Sequence, residues 1–572
     1  AYRAAYPDWW TDGFGSAARE TAASRKTHSD MTAVEGLLSM AVLKDKCLPQ
    51  ATHQQIEHIH ESLLFYDEHT FGASESVSDP LCENSQVQWG EKSAYAWEAV
   101  KRTQMLYETS VGLLQGDLRR GKNPTLTIFN TLNWKRSEML TVYIDFEVIP
   151  RNQFFEITDF QGHSLKVQPI RYRREGCYYA IFAEDIPPMG YKTFEIVFKQ
   201  PSTDTGTITI NNASIENHFY KLQLNPDKGT IQSLYDKELN CELVDSSSPW
   251  ELGAFIYEKL GNRDQLAQYR LDDYNRTGLS ECRIIDSSNG PIYQRILLQG
   301  KSPGTDEAFG VNLEIKLYHD TKRIELEYAI KRLPETDPSG IYVAFPFQLP
   351  EGKLAFDVQG GTVISGKNQL EGTSTDWNTV QNFVSVQNNQ AQIIIGSSLI
   401  PLYQLGDINL GKFQYQKQYE RPHVYSWVMN NYWNTNFKAS QEGEFRWSYH
   451  LTSSVDPSNN LATKFGWSSR IPLYARVMPT GTENHKPTEY SAFHFEKDNF
   501  LMTSCTPSKE EGYILLNIRE IDGKRTNLRI LNEDGQTIPF TIVNAIEEKL
   551  ENETSEHIFE GYQNKFIKIK RF

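Results

Sequence analysis

The sequence lacks the features that mark several large classes of protein. Its six cysteines are widely scattered and none forms a CxxC pair, so neither a zinc ribbon nor a disulfide framework is predicted. Basic residues are outnumbered, with 58 Lys and Arg against 73 Asp and Glu and a net charge of -15. Because this charge repels phosphate backbones and anionic lipid surfaces, we expect neither nucleic acid nor membrane as a partner.

Long hydrophobic runs are also missing. The longest apolar stretches, such as QIIIGSSLIPLY, are shorter than the ~20 residues that a membrane-spanning helix needs. The opening residues do not resemble a signal peptide, so we expect a soluble protein whose compartment is left open. No glycine-rich phosphate loop is present, which disfavours enzymes of nucleotides or sugar phosphates. The abrupt, motif-like start without Met indicates that a segment upstream has been removed.

The chain has 572 residues, which predicts several domains, and its periodicity changes near residue 120. Before that point, apolar residues recur every three or four positions, as expected for amphipathic helices packed as a three-helix bundle. The three stripes are Met31, Val34, Leu38 and Ala41; Ile56, Ile59, Leu63 and Tyr66; and Trp97, Val100, Tyr107, Val111, Leu114 and Leu118.

The remainder of the chain has the period of β-strands. In LTVYIDFEV apolar residues alternate with polar ones, and LEIKLYHDTKRIELEYAI repeats this alternation on both sides of a polar turn, as a hairpin does. About 450 residues of this kind, with no helix predicted among them, indicate antiparallel β-sandwich domains. Turn-rich stretches then divide the chain into a bundle at 1–120 and β-domains at 121–204, 205–455 and 456–572.

The segment YPDWWTDGFG contains candidate ligand-binding residues. Tryptophan faces stack on the C–H surfaces of sugars and carboxylates accept hydroxyl hydrogens, so Trp9, Trp10 and Asp12 are candidates for a glycan cleft. The alternative is an aromatic plug between the bundle and a neighbouring domain, with Asp12 or Ser16 capping a helix.

A second candidate segment is YSWVMNNYWNTN in the β-region. Side-chain amides beside an aromatic ring can both donate to and accept from sugar hydroxyls, which makes Asn430, Asn431 and Trp433 candidates for substrate binding. In the alternative interpretation, this is an Asn-rich loop whose amides bond to their own backbone.

His69 stands at the predicted end of the second helix, in LLFYDEHTFGASES. Three positions after Tyr66, it should face the same side as the buried stripe and be available as a metal ligand. The alternative is a helix-end residue that interacts with exposed carbonyls and with the helix dipole.

These motifs, in this order, resemble glycoside hydrolase family 38, the α-mannosidase family. The resemblance extends through IFNTLNWKRS, AEDIPPMGYKTF, ENHFYKLQLNPDKGTIQSLYDKELNCELVD, IYVAFPF and PLYQLGDI. It implies a zinc-dependent retaining glycosidase with an N-terminal α/β barrel, a three-helix bundle, and β-domains that include a galactose-mutarotase-like supersandwich. This sequence corresponds to the bundle and the β-domains only, so no catalytic carboxylate is assigned here.

The resemblance also assigns a role to His69. The family's zinc is held by two carboxylates and two histidines, and the second histidine comes from a short motif often written HHD. The matching triplet here is Glu68-His69-Thr70, so His69 is the predicted zinc ligand. Glu68 and Thr70 depart from the motif and are further candidates for substrate binding. We expect zinc in the complete protein and none held by this chain alone.

Two functions of different classes follow. The first is the non-barrel portion of a glycosidase that acts on α-mannoside-type glycans, in which this chain contributes a cleft wall and one zinc ligand to the catalytic barrel. The second is a stand-alone carbohydrate-binding or scaffold module without catalysis.

Overall fold

The computed structural model describes residues 4–200 and 213–572, and its helices come first along the chain. A 3-10 helix at Thr11–Ala17 leads into α1 (Ala18–Leu43), which is followed by α2 (Thr52–Asp67) and α3 (Glu83–Leu114). Antiparallel sheets follow, so the predicted fold class of helices and then β-sandwiches is confirmed. The predicted boundary between residues 204 and 205 lies outside the described residues.

The buried faces of α1 and α2 follow the predicted stripes. Met31, Val34 and Leu38 of α1 pack against Ile59 and Leu63 of α2, and all five are at most 1% exposed. The predicted stripe of α3 is confirmed in its second half, where Val111, Leu114 and Leu118 are buried, but in its first half Trp97 is 44% exposed while the neighbouring Ala96 and Ala99 are buried. These smaller side chains let α3 approach the other two helices closely.

The largest unit is a sandwich built from residues 214–454. A nine-stranded and a six-stranded sheet face each other across one core, and a four-stranded sheet closes its edge. In sheet order, the strands are Ser280–Asn289, Tyr293–Lys301, Val311–Tyr318, Ile324–Arg332, Gly443–Ser454, Gln392–Gly396, Val384–Gln387, Lys353–Val358 and Gly361–Ile364; Tyr274–Thr277, Phe255–Leu260, Ser339–Phe345, Val424–Asn430, Leu402–Leu405 and Asn378–Thr379; and Cys241–Glu242, Thr230–Asp236, Tyr220–Asn225 and Ser214–Glu216.

A smaller β-unit combines strands from distant parts of the chain. Its five-stranded and three-stranded sheets share a core, and two of its strands come from beyond residue 470, so this sheet joins the predicted domains 121–204 and 456–572. The strands are Tyr474–Met478, Thr125–Asn130, Gly190–Lys199, Glu489–Ser491 and Phe154–Thr158; and Arg136–Asp145, Gly176–Ile186 and Lys166–Tyr172.

The last residues form a four-stranded sheet and two short strand pairs. The core of this unit includes Leu37 and Met40 of α1, which therefore contacts the C-terminal sheet as well as α2 and α3. The strands are Phe500–Pro507, Tyr513–Glu520, Asn564–Lys570 and Thr541–Val543; His494–Phe495 and Ile530–Leu531; and Thr526–Leu528 and His557–Phe559.

Among the described residues after 120, one α-helix and one 3-10 helix, Arg263–Gln268, contradict the expectation that no helix would occur there. Helix α4 spans Asn459–Arg470 and begins where the hydroxyl of Ser458 accepts a hydrogen bond from the backbone of Leu461. Its fully buried residues are small or polar, Ala462 and Gly466 among them, while the larger Leu461 and Phe465 are half-buried against the cluster of Phe383 and Ile394.

Two further findings concern the pairing of the cysteines and the search for a membrane-spanning helix. All six cysteines are free thiols, as their scattered positions predict. Within residues 4–200 and 213–572, no helix combines the length and the apolar composition needed to cross a membrane.

The N-terminal segment is held against the sandwich by close packing at Gly13 and Gly15 and by hydrogen bonds with Gln441. A Cβ on Gly13 would overlap the ring of Phe437, and one on Gly15 would overlap the amide of Asn430. The side chain of Gln441 accepts from the backbone of Ala18 at 2.9 Å and donates to the carbonyl of Gly15 at 2.8 Å. Because only glycine permits this approach, the Trp9–Trp10 pair is held against the sandwich loops.

Candidate functional site

His69 lies just beyond α2 rather than on its buried face. The helix ends at Asp67, and Glu68 is extended with φ -61° and ψ 140°, so the helical stripe does not continue to His69. Lys92 of α3 fixes this turn by donating to the carbonyls of Phe65 at 2.8 Å and Glu68 at 2.7 Å. The His69 side chain is 55% exposed, which corrects the expectation that it shares the buried side.

The described polar contacts of the His69 ring all involve Nδ1. The hydroxyl of Thr70 lies 2.9 Å from Nδ1, and a carboxylate oxygen of Glu68 lies 3.3 Å from it. Burial opposes ionisation of Glu68, but hydrogen bonds from Thr70 and the charge of Lys92 lower its pKa. A carboxylate near Nδ1 helps to orient the ring, as beside metal-binding histidines, and Nε2 has no polar contact with a described residue.

The described residues do not by themselves form a zinc site. Nowhere in that part of the chain do three His, Cys, Asp or Glu side chains converge as metal ligands would. Protein zinc sites use three or four such ligands, and His69 offers one.

A cavity of about 410 Å³ lies close to His69, which contacts the cavity wall through Trp10 but does not line the cavity itself. Its wall includes Trp10, whose ring lies 4.9 Å from that of His69 and 5.5 Å from that of Trp433. Trp9 also lines the cavity but contacts other rings, with Trp377 at 5.7 Å and Tyr269 at 5.8 Å. The two neighbouring tryptophans thus line one cavity through separate groups of aromatic residues.

Asp12 lies in the wall of this cavity and is 7% exposed. The indole N–H of Trp433 donates to its carboxyl group at 2.9 Å, and the amide of Asn430 donates to its backbone carbonyl at 2.9 Å. Burial raises the pKa of Asp12 to about 8, although the hydrogen bond from Trp433 acts in the opposite direction. At neutral pH Asp12 is therefore mainly protonated and can donate as well as accept.

Asn430 and Asn431 are committed to the protein's own backbone. Asn430 is 1% exposed and holds Asp12, while the amide of Asn431 donates to the carbonyls of Asp337 at 3.0 Å and Ala439 at 2.8 Å. The carbonyl oxygen of Asn431 accepts from the backbone of Ser339 at 2.7 Å. These contacts match the alternative interpretation, so we assign both side chains to fold support and keep only Trp433 of this segment in the candidate site.

Two models of protein families match the sequence of this chain. The Alpha mannosidase middle domain matches residues 8–114, and the Glycosyl hydrolases family 38 C-terminal domain matches residues 215–413. The chain carries the middle and C-terminal domains of glycoside hydrolase family 38. The match places His69, Trp9 and Trp10 in the middle domain and the cavity residue Tyr269 in the C-terminal one.

Solved structures share the fold of this family 38 chain over nearly its full length. An α-mannosidase from Enterococcus faecalis V583 superposes with a TM-score of 0.74 at 13% identity, over 99% of this chain and 69% of the other. A protein in the Glycosyl Hydrolase Family 38 from Enterococcus faecalis gives a TM-score of 0.73 at 14% identity, over 98% and 71%. The chain has no match among curated proteins.

The cavity of this family 38 chain is also lined by residues that were not predicted from the sequence. Asp376 and Trp377 lie on a sandwich loop, and Arg263 and Tyr269 belong to the 3-10 helix Arg263–Gln268 and its end. One signal was present, because Asp376-Trp377 repeats the Asp-Trp pair found at residues 8–9. The two pairs are far apart in sequence, and the fold brings Trp9, Asp376 and Trp377 to one cavity.

Proposed function

We propose that this chain is the non-barrel portion of a glycoside hydrolase acting on α-mannoside-type glycans. In this proposal, Trp9, Trp10, Asp12 and Trp433 form one wall of the glycan cleft, and His69 supplies one ligand to a zinc site that a catalytic barrel completes. The catalytic carboxylates come from that barrel, where one acts as nucleophile and the other as acid and base.

The observation that supports this most strongly is the contact between Trp10 and His69. An exposed indole is suited to stack on a sugar ring, and here it lies 4.9 Å from an exposed imidazole whose Nδ1 is already engaged. The remaining nitrogen, Nε2, is the type of ligand that zinc prefers. Trp10 lines a cavity whose volume is in the range of small-molecule sites, and His69 contacts this wall through the Trp10 ring.

The test uses the full-length protein that contains both the barrel and this chain. In the variant His69→Ala, zinc per protein and the rate of aryl α-mannoside hydrolysis should fall together, each by at least about ten-fold. The matched control is His163→Ala, because His163 is also exposed and also has a carboxylate, Asp159, near Nδ1 at 2.9 Å. The control should keep both its zinc and its activity.

The two measurements separate the proposal from its alternative. Zinc content that is unchanged in His69→Ala would remove the ligand role. If the full-length protein also hydrolyses no glycoside, the stand-alone carbohydrate-binding or scaffold module is the better description. Loss of activity with full zinc occupancy would leave His69 in the cleft but not on the metal.

A further inference from the structure

The loop that carries His69 is paired with a loop of the sandwich. We call residues 68–76 the His69 loop and residues 433–437 the sandwich loop. The backbone N–H of Phe71 donates to the carbonyl of Asn436 at 3.0 Å, and the N–H of Asn436 donates back to a carbonyl of the His69 loop at 3.2 Å. Asn436 therefore makes a two-way backbone link to this loop, close to His69 in sequence.

Side chains extend the pairing of the two loops. The buried hydroxyl of Ser76 donates to the carbonyl of Phe437 at 2.9 Å, and the hydroxyl of Thr435 lies 2.8 Å from the carbonyl of Ser74. The rings of Phe71 and Phe437 meet edge to face with their centroids 5.6 Å apart, and both residues are at most 2% exposed. Because these hydrogen bonds and rings are largely buried, the two loops form one packed unit.

The other end of the sandwich loop lines the cavity. Trp433, Asn434 and Thr435 belong to the cavity wall. The ring of Trp433 lies 5.5 Å from that of Trp10, and the ring of Trp10 lies 4.9 Å from that of His69. His69 is thus connected to the wall by two routes, which are the Trp10 ring and the paired backbones of the two loops.

The pairing depends on the backbone conformation of Asn436. Its φ is 62°, in the left-handed region that asparagine and glycine tolerate and that strains a β-branched residue. In this conformation both its N–H and its carbonyl bond to the His69 loop. Its side-chain oxygen lies 2.7 Å from the hydroxyl of the neighbouring Thr435, so the link to the His69 loop comes from the backbone.

The bundle holds the His69 loop from the opposite end. The ammonium group of Lys92 bonds to the carbonyls of Phe65 and Glu68 and lies 4.8 Å from the centre of the Phe71 ring. Lys92 therefore fixes the place where α2 ends, whereas Asn436 fixes how the loop lies against the cavity wall.

We propose that Asn436 is a positioning residue for His69, because its left-handed backbone holds the His69 loop against the sandwich and keeps the imidazole beside Trp10. This inference rests on the proposed function, in which His69 binds zinc. Asn436 acts through His69 and is not itself a ligand. An imidazole that is displaced meets the metal at the wrong distance and angle, and loss of the partners that orient a metal-binding histidine weakens metal binding about ten-fold or more.

The first measurement compares two substitutions of Asn436 in the 572-residue chain. Asn436→Val puts a β-branched side chain at a left-handed position and should displace the loop, whereas Asn436→Gly accepts this backbone and should leave the loop in place. NMR with labelled histidine and tryptophan rings follows the nuclear Overhauser effect between His69 and Trp10. We expect this signal to be lost in Asn436→Val and kept in Asn436→Gly.

The second measurement is the zinc affinity of the full-length protein. Asn436→Val should raise the Kd for zinc about ten-fold, and Asn436→Gly should raise it by less than about two-fold. The matched control is Asn152→Val, because Asn152 is also left-handed, with φ 66°, at an exposed turn of the smaller β-unit. This control introduces the same backbone strain away from the cavity, so the ring contact and the zinc affinity should both stay unchanged.

Thermal unfolding of each variant shows whether a loss reflects a loss of fold. If Asn436→Val does not fold, Asn436→Ala takes its place, since alanine is less strained than valine at a left-handed position. A smaller loss of the ring contact and of zinc affinity is then expected.

Three results would overturn the inference. They are a folded Asn436→Val that keeps the His69–Trp10 contact, one that keeps its zinc affinity although His69→Ala loses zinc, and equal losses in Asn152→Val. Unchanged zinc in both His69→Ala and Asn436→Val would instead reject the proposed function. The ring contact is measured without zinc, so it decides in that case as well whether Asn436 positions His69.

Discussion

The ring of Trp10 lies 4.9 Å from the ring of His69, with the two planes inclined at 48°. The indole comes from the segment before the 3-10 helix and the imidazole from the loop after α2, so two separate parts of the middle domain meet at one edge of the cavity. A sugar stacked on Trp10 would therefore be within reach of a group held by His69.

The first prediction separates stacking from metal binding. In the full-length protein, Trp10→Ala should weaken glycan binding about three- to ten-fold, seen as a higher KM, because a stacking surface is lost. Zinc content should stay unchanged, in contrast to His69→Ala. Trp97→Ala is the control, since Trp97 is 44% exposed on α3 and Trp10 is 45% exposed. A drop in zinc in Trp10→Ala would show that the indole supports the metal site instead.

The second prediction concerns the structural role of Asn431. Asn431→Ala should lower the free energy of unfolding by about 2–4 kcal/mol, because it leaves the carbonyl of Ala439 and the N–H of Ser339 without partners. Urea unfolding measures this change. Asn434→Ala, at an exposed position of the same segment, should differ from the unaltered chain by less than about 0.5 kcal/mol. Similar values for both variants would contradict the role.

The third prediction is a pH dependence caused by Asp12. Its pKa is raised to about 8 in the folded chain, while the unfolded chain ionises near 4, so the unfolded state binds fewer protons between these values. Asp12 consequently destabilises the fold increasingly as the pH rises from 4 to 8. Asp12→Asn removes this effect and keeps an acceptor for the Trp433 indole.

The stability of Asp12→Asn relative to the unaltered chain should therefore improve over that interval by at least about 1 kcal/mol. Denaturant unfolding at several pH values gives the difference directly, and titrating groups that do not interact with Asp12 cancel in the comparison. A difference that does not vary between pH 4 and pH 8 would mean that Asp12 is ionised in the folded protein.

The fourth prediction concerns activity. The 572-residue chain should not hydrolyse aryl α-mannosides above background, because nucleophile and acid–base groups supply most of the rate and none is assigned to these residues. Product release is followed after exhaustive purification. Turnover that a single substitution in this chain abolishes would show that catalytic groups lie within it.

More of the fold than of the candidate site could be predicted from the sequence. The order of helices and strands followed from periodicity, since large apolar residues mark the buried faces of α1, α2 and most strands. The buried face of the first half of α3 was missed because it carries small or polar side chains, such as Ala96, Ala99 and Thr103, which give no stripe of large apolar residues. Helix α4 was missed because Leu461 and Phe465 alone are too short a pattern to predict a helix.

The site was harder to predict because it depends on tertiary contacts. The helical period placed His69 on the side of the buried stripe, but a backbone turn at Glu68 ends the helix first and leaves the ring 55% exposed beside Trp10. Asn430 looked like a sugar-binding residue, and its role became evident only when its amide was found on the carbonyl of Asp12. Asp376 carried no local signal beyond its neighbour Trp377.

The attachment of the N-terminal segment to the sandwich has a consequence for how the protein folds. Asp12 and Trp433 bond to each other although they are 421 positions apart. During synthesis the first wall of the cavity emerges long before the second, so its tryptophans stay exposed until most of the sandwich has been made. Contacts of such separation also form slowly. The cavity is therefore among the last parts of the molecule to be assembled, and a chain stopped before residue 430 would present its aromatic wall to solvent and to other chains.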